Sequence, residues 1–264
     1  MRNSLSIDKE REVRRIEKFI QDTLARTKKR KLTIACSGGV DSSVAAALCV
    51  RAVGARAVRI LLLPYGTLNN IGLKCAKTLI DFLEIPSRNI ETVNITPSVD
   101  TLAKMLALKD SDQVRLGNIM ARVRMVILYD LAKKQDALVC GTENKSEYFL
   151  GYFTRFGDEA SDFEPIRHLY KTQVYQLASY LGLSDEIVKQ PPTAGLWKGQ
   201  TDEGEFGFSY READQVLHLY YDQKIKLSEI ENKFPNTKKI ISLSERNNYK
   251  HHVPYVLIEG LDKV

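Results

Sequence analysis

Between residues 31 and 141, short apolar runs alternate four times with stretches of helical periodicity, and this alternation constrains the fold more than any other feature. "KLTIAC" (31–36), "ARAVRILLL" (55–63, ended by Pro64), "IETVNI" (90–95) and "DALVCG" (136–141) read as strands. Helices are predicted over 43–54, closed by Gly54, then over 68–84, from 97, and over 112–134. Strand–helix alternation at this spacing builds an α/β fold: a parallel sheet with helices on both faces. In such sheets ligands bind beyond the carboxyl ends of the strands, where the strand order reverses.

Two polar segments stand at such ends. "SGGVDSS" (37–43) follows the first strand and "GTENKSE" (141–147) follows the fourth, so both are expected to face one crevice. Glycines let the backbone turn tightly and present N–H groups, the serine hydroxyls add donors, and the start of a helix adds partial positive charge. That combination favours phosphate. Asp41 would repel a bare phosphate and makes sense through a hard cation such as Mg²⁺. The loop lacks the lysine of GxxxxGK[ST], and the chain has no GxGxxG, which excludes the usual γ-phosphate-cleaving loop and the dinucleotide fingerprint.

A helix over 8–30 is predicted to bury Val13, Ile16, Ile20 and Leu24, and further helices are predicted over 171–183, 211–222 and 236–248. Residues 191–210, rich in glycine, proline and polar side chains, read as a long loop of the kind that forms mobile lids. The helix 112–134 carries more apolar residues than one buried stripe needs, so a second face is expected to pack elsewhere, in the core or against another subunit.

Among 264 residues, no run of 18 apolar residues exists, so no membrane span is expected, and the charged N-terminus lacks the apolar region of a signal peptide. Four cysteines without CxxC spacing read as buried hydrophobes of a reducing compartment, which makes the cytoplasm the expected location. The net charge of +6 is spread and not interleaved with aromatics, so no nucleic-acid partner is expected.

"SGGVDS" after the first strand resembles the pyrophosphate loop of the ATP pyrophosphatases, which cleave ATP between the α and β phosphates and adenylate a substrate oxygen. "GTENKSEYFLGYFTRFGDEASDFEP" (141–165) resembles the signature of the NAD synthetases within that group. So do "NIMARVRM" (118–125), "KTQVYQLASYLGL" (171–183), "PPTAGLWKGQTDEGEFGFSY" (191–210) and "YKHHVP" (249–254), in order along nearly the whole chain.

The resemblance implies a Rossmann-like, adenine nucleotide α-hydrolase-like fold, formed by one synthetase domain over residues 1–264 without a glutaminase domain. It implies a ligase that adenylates the nicotinate carboxylate of deamido-NAD with ATP, then amidates it with ammonia to give NAD and AMP. It also implies Mg²⁺ and a symmetric homodimer. Carried over residue by residue, Ala35, Cys36, Ser37, Gly38, Gly39, Val40, Asp41 and Ser42 would hold ATP with Thr142, Lys171 and Thr193. Asp41 and Glu147 would hold the metal; Arg122, Arg155, Asp162, Tyr249 and Lys250 would bind deamido-NAD; Asp158 would help handle ammonia. The chain departs from the family pattern at Leu62, where many members have arginine, and at Tyr249 and His251. A tRNA-modifying adenylase and an ATP sensor are the competing readings. The first lacks an obvious cysteine pair, and the second needs no two hard-metal ligands.

Overall fold

A computed structural model describes residues 5–252 and 255. In chain order the elements are α1 (Lys9–Thr27), β1 (Lys31–Ala35), α2 (Val40–Val53), β2 (Val58–Leu62), α3 (Asn70–Phe82), β3 (Ile90–Thr92), α4 (Thr96–Met105), α5 (Gln113–Gln135) and β4 (Ala137–Val139). The chain continues through α6 (Lys145–Leu150), α7 (Lys171–Tyr180), α8 (Asp185–Val188), α9 (Asp202–Phe206), α10 (Tyr210–Leu217), α11 (Leu227–Glu231) and α12 (Thr237–Asn247).

The four strands form one parallel sheet in the order β3-β2-β1-β4. The central strands β1 and β2 are buried on both faces, as their apolar composition requires. Leu32, Ile34, Val58 and Ile60 pack with α1, α2, α3 and α7 on one face. Leu61, Leu63 and Val139 pack with α4 and α5 on the other. The expected stripe of α1, Val13, Ile16, Ile20 and Leu24, is the buried one. Its end follows from Lys28, which caps the helix in the left-handed conformation, so the basic run 28–31 is divided between the cap and the start of β1.

Three expectations are revised. Helix α2 starts at Val40, not 43, because Gly39 takes an extended conformation as its N-cap, and Ser42 and Ser43 donate back to the Gly39 carbonyl. Helix α6 falls in the polar segment after β4, over which no helix is predicted from periodicity; an asparagine cap and its partner glutamate start it. Residues 191–210 are a tethered segment rather than a free loop. They contain α9, and Phe206 and Phe208 are buried in a second core. That core joins α6, α10 and α12 through residues such as Leu150, Val216, Leu217, Ile240 and Ile241.

Candidate functional site

The strand order reverses at β1, whose neighbours β2 and β4 continue to opposite sides. The carboxyl ends of β1 and β4 therefore bound a crevice, as sheets of this kind require. A cavity of about 300 Å³ opens there. Its wall includes the loop after β1, the segment after β4, the end of β2, one side of α5 and residues 190–196.

The loop after β1 is shaped by its own small residues. Gly39 N–H donates to Ser37 Oγ (3.3 Å), and the Ser37 and Ser42 hydroxyls bond each other (3.2 Å). Gly38, at φ +82°, turns the chain against Gly72 of α3. Ala35, Cys36, Ser37, Gly39, Val40, Asp41 and Ser42 line the cavity, and the first turn of α2 among them has no side-chain cap, which leaves its N–H groups for an anion.

Beside this loop stands a charged centre drawn from three elements. Lys171 opens α7, and its Nζ lies 2.5 Å from Asp41 Oδ2 and 3.0 Å from Glu147 Oε1. Asn144 Nδ2 donates to Asp41 Oδ1 (2.8 Å), its Oδ1 accepts from Glu147 N as the cap of α6 (3.0 Å), and its backbone N–H donates to Glu147 Oε2 (3.3 Å). One asparagine thus aligns both carboxylates. Burial pushes the Glu147 carboxyl up to about 8, with Asp41 and Asp202 adding to the rise against Lys171. Burial works to discharge Lys171, but Asp41, Glu147 and Asp202 outweigh it and hold the ammonium well into its charged form. Asp41 and Glu147 bring hard oxygen donors to the cavity with Lys171 between them, and among the described residues no group of three or more His, Cys, Asp or Glu side chains is gathered for a metal ion.

Behind the centre, Asp214 of α10 accepts from Ser146 Oγ (2.5 Å) and Thr172 N (2.8 Å), while Ser146 Oγ accepts from Lys171 N (2.8 Å). The start of α7 and the body of α6 are joined through this one buried carboxylate, and they carry Lys171 and Glu147.

On the far wall, Thr193 Oγ donates to the Gln200 carbonyl (2.8 Å) and accepts from Gly195 N (3.0 Å). Asp202 brackets Thr193: its N–H donates to Pro192 O (3.0 Å) and its Oδ1 accepts from Ala194 N (3.0 Å). Thr142, Asp158 and Glu143 also line the cavity. Asp158 accepts from Thr154 N (2.8 Å), and burial raises its carboxyl above the ordinary range. Burial raises Glu143 to about 9, although Arg167 lies 2.7 Å from it.

The five residues expected at the second substrate do not line the cavity. Four of them cluster on an adjoining surface. Arg122 donates to the Arg155 carbonyl through Nε (3.3 Å) and Nη2 (3.2 Å), and the Arg155 guanidinium lies 5.6 Å from the centre of the Tyr249 ring. Lys250 Nζ donates to the carbonyls of Gly151 (2.6 Å) and Phe153 (2.7 Å). Asp162 stands apart, with Oδ2 accepting from Val139 N in β4 (2.7 Å). Val253 and Pro254 of the "YKHHVP" segment lie outside the described residues. Asn144, Asp202, Asp214 and Arg124 were not singled out from sequence. A capping box was the available signal for Asn144; for the other three there was none.

Fold and crevice together define a nucleotide-binding α/β protein with an anion loop and a paired-carboxylate centre at one strand switch point. The family model described as NAD synthase matches residues 12–254, so the chain belongs to the NAD synthase family. An NH(3)-dependent NAD(+) synthetase of Pyrococcus furiosus is 39% identical over 249 residues, covering 93% of each chain. A solved NH3-dependent NAD synthetase from Campylobacter jejuni superposes with a TM-score of 0.80 at 31% identity, over 96% of this chain and 100% of that one. An NMN synthetase from Francisella tularensis superposes with a TM-score of 0.82 at 31% identity, over 96% and 99%.

Proposed function

We propose that this protein is an ammonia-dependent NAD synthetase that adenylates the nicotinate carboxylate of deamido-NAD with ATP, then amidates it. The observation that carries this reading is the anion loop 37–42 placed beside the Asp41–Lys171–Glu147 centre in one crevice. A carboxylate resists ammonia because its charge repels nucleophiles and it has no leaving group. In the first step a carboxylate oxygen attacks the α-phosphorus of ATP, and the bond to the β-phosphate oxygen breaks with release of pyrophosphate. In the second step ammonia attacks the acyl carbon, the bond to AMP breaks, and a proton is lost from nitrogen.

The residues divide this work as follows. The loop from Ala35 to Ser42 receives the phosphates, Gly38 by shaping the turn and the others from the cavity wall. Thr142 and Thr193 contact ATP across the crevice, and Lys171 adds a point charge. Asp41 and Glu147 would hold Mg²⁺, which when bound offsets charge on the phosphates. Arg122, Arg155, Tyr249 and Lys250 receive the dinucleotide at the adjoining surface, and Asp162 contributes from its separate place against β4. Asp158 stands in the cleft as a buried carboxylate able to take a proton from an incoming ammonium ion. Free ammonia is the nitrogen source, as in the relatives' names. Residues 1–264 act as one synthetase domain, of which the family model matches 12–254. The chain works in the cytoplasm as a homodimer, independent of nucleic acid. No helix among the described residues is long and apolar enough to cross a membrane.

The test is AMP release from ATP, Mg²⁺ and ammonium, with NAD followed in parallel, in the presence and absence of deamido-NAD. AMP and NAD are expected one for one, and only with deamido-NAD. A second arm replaces deamido-NAD with nicotinate mononucleotide, because one structural neighbour is an NMN synthetase. Turnover of the mononucleotide alone would overturn the dinucleotide assignment.

A further inference from the structure

Among the described residues, two cations line the cavity, Lys171 and Arg124. Lys171 is neutralised by Asp41 and Glu147. Arg124 is not neutralised. It projects from α5, and its Nε donates to the carbonyl oxygen of Leu63 at the end of β2 (3.1 Å). That bond fixes the plane of the guanidinium. Among the described residues no acceptor bonds its two η nitrogens, and no carboxylate lies within ion-pair distance. Asp158, on the same cavity, acts on Arg124 only through its field. Burial removes much of the water from the guanidinium, which nevertheless stays charged, as arginine does in proteins. A partly desolvated cation with four unengaged N–H groups facing a cavity is costly unless an anion arrives.

We propose that Arg124 binds an oxyanion of the reacting linkage through its η nitrogens, either the nicotinate carboxylate or the α-phosphate it attacks. This rests on the NAD synthetase reading above. A guanidinium fork matches both groups, since each presents two oxygens in the plane of two parallel N–H bonds. The side chain is already held by Leu63, so little conformational freedom is lost when the anion binds. Arg122 and Arg155 cannot serve this role from where they stand, because neither lines the cavity.

The experiment is calorimetric titration of ATP with Mg²⁺, and separately of deamido-NAD, into the parent protein and into Arg124→Gln, with melting temperatures and turnover measured alongside. The affinity for one ligand is expected to fall at least tenfold while the other stays within twofold. A selective loss for deamido-NAD identifies the carboxylate, and a selective loss for ATP identifies the phosphate. Unchanged affinity for both, or an equal loss for both, would overturn the proposal, since a merely structural role does not discriminate between ligands. If Arg124→Gln does not fold, Arg124→Lys is used with the same criterion, because it keeps the charge and loses the fork. A parent protein that binds both ligands without making NAD would refute the functional reading, while the titrations would still judge Arg124.

Discussion

A methyl group added at Gly38 would stand 1.9 Å from the carbonyl oxygen of Gly72, on a backbone whose φ is +82°. Neither the overlap nor the conformation tolerates a side chain, and strain of this kind costs about 1–3 kcal/mol. Gly38→Ala is therefore expected to lower the melting temperature and to raise the KM for ATP several-fold, measured by differential scanning fluorimetry and steady-state kinetics. Glu147→Gln is expected to behave differently. Turnover falls at least a hundredfold in the AMP-release assay. The melting temperature does not fall, because the amide no longer places a second buried carboxylate beside Asp41. At this scale the sequence was most legible where chemistry is local: two glycines, a carboxylate and hydroxyls after a strand describe an anion loop by themselves. Asn144 was less legible. Its capping role is written in the spacing to Glu147, but its bond to Asp41 spans 103 positions and has no sequence signature.

Helix α6 is six residues long and carries no hydrophobic period, so periodicity alone does not reveal it. It exists because a capping box starts it and Asp214 fastens it to α7. Burial raises the Asp214 carboxyl from 3.8 to about 6 in the folded protein. A raised carboxyl contributes stability that is fully present below pH about 4 and is lost as pH rises through about 6, by up to roughly 3 kcal/mol. Asp214→Asn removes this titration. The melting temperature of the parent minus that of the variant is therefore expected to fall between pH 4 and pH 7, and a constant difference would contradict the assignment. The segment 191–210 teaches the same lesson from the other side. Its composition reads as a loose lid, yet Asp202 ties it to Ala194 and accepts from Tyr210 Oη (3.1 Å), and Phe206 enters the second core. Asp202→Ala leaves the buried Tyr210 hydroxyl without an acceptor, a cost of about 1–3 kcal/mol, and releases the Ala194 N–H. It is expected to raise the KM for ATP and to speed tryptic cleavage at Lys198, read by mass spectrometry.

The α4–α5 layer on the sheet's second face leaves several large apolar side chains exposed. Leu102, Met105 and Leu106 on and after α4, with Val114 and Val126 on α5, all face outward. Most of the apolar excess of 112–134 packs inward, with Leu116, Ile119, Val123 and Ile127 against the core, and Val114 and Val126 are left outside. A copy of the same chain is their proposed cover, because large apolar patches rarely stay in water. Sedimentation velocity is expected to show a dimer for the parent and a monomer for the Met105→Glu, Val126→Glu double variant. The sequence by itself determined the α/β class, the order of strands and helices, the anion loop and the family. These follow from periods of two and 3.6 residues, turn chemistry and motifs, all of which act over short stretches of chain. Only the tertiary structure decided that Lys171 reaches Asp41 across 130 positions, that Arg122 and Arg155 stand outside the cavity, and that Arg124 faces into it. The physical reason is that burial and charge pairing are properties of the space between elements. A residue two positions along the same helix can face solvent or the crevice, and packing chooses which.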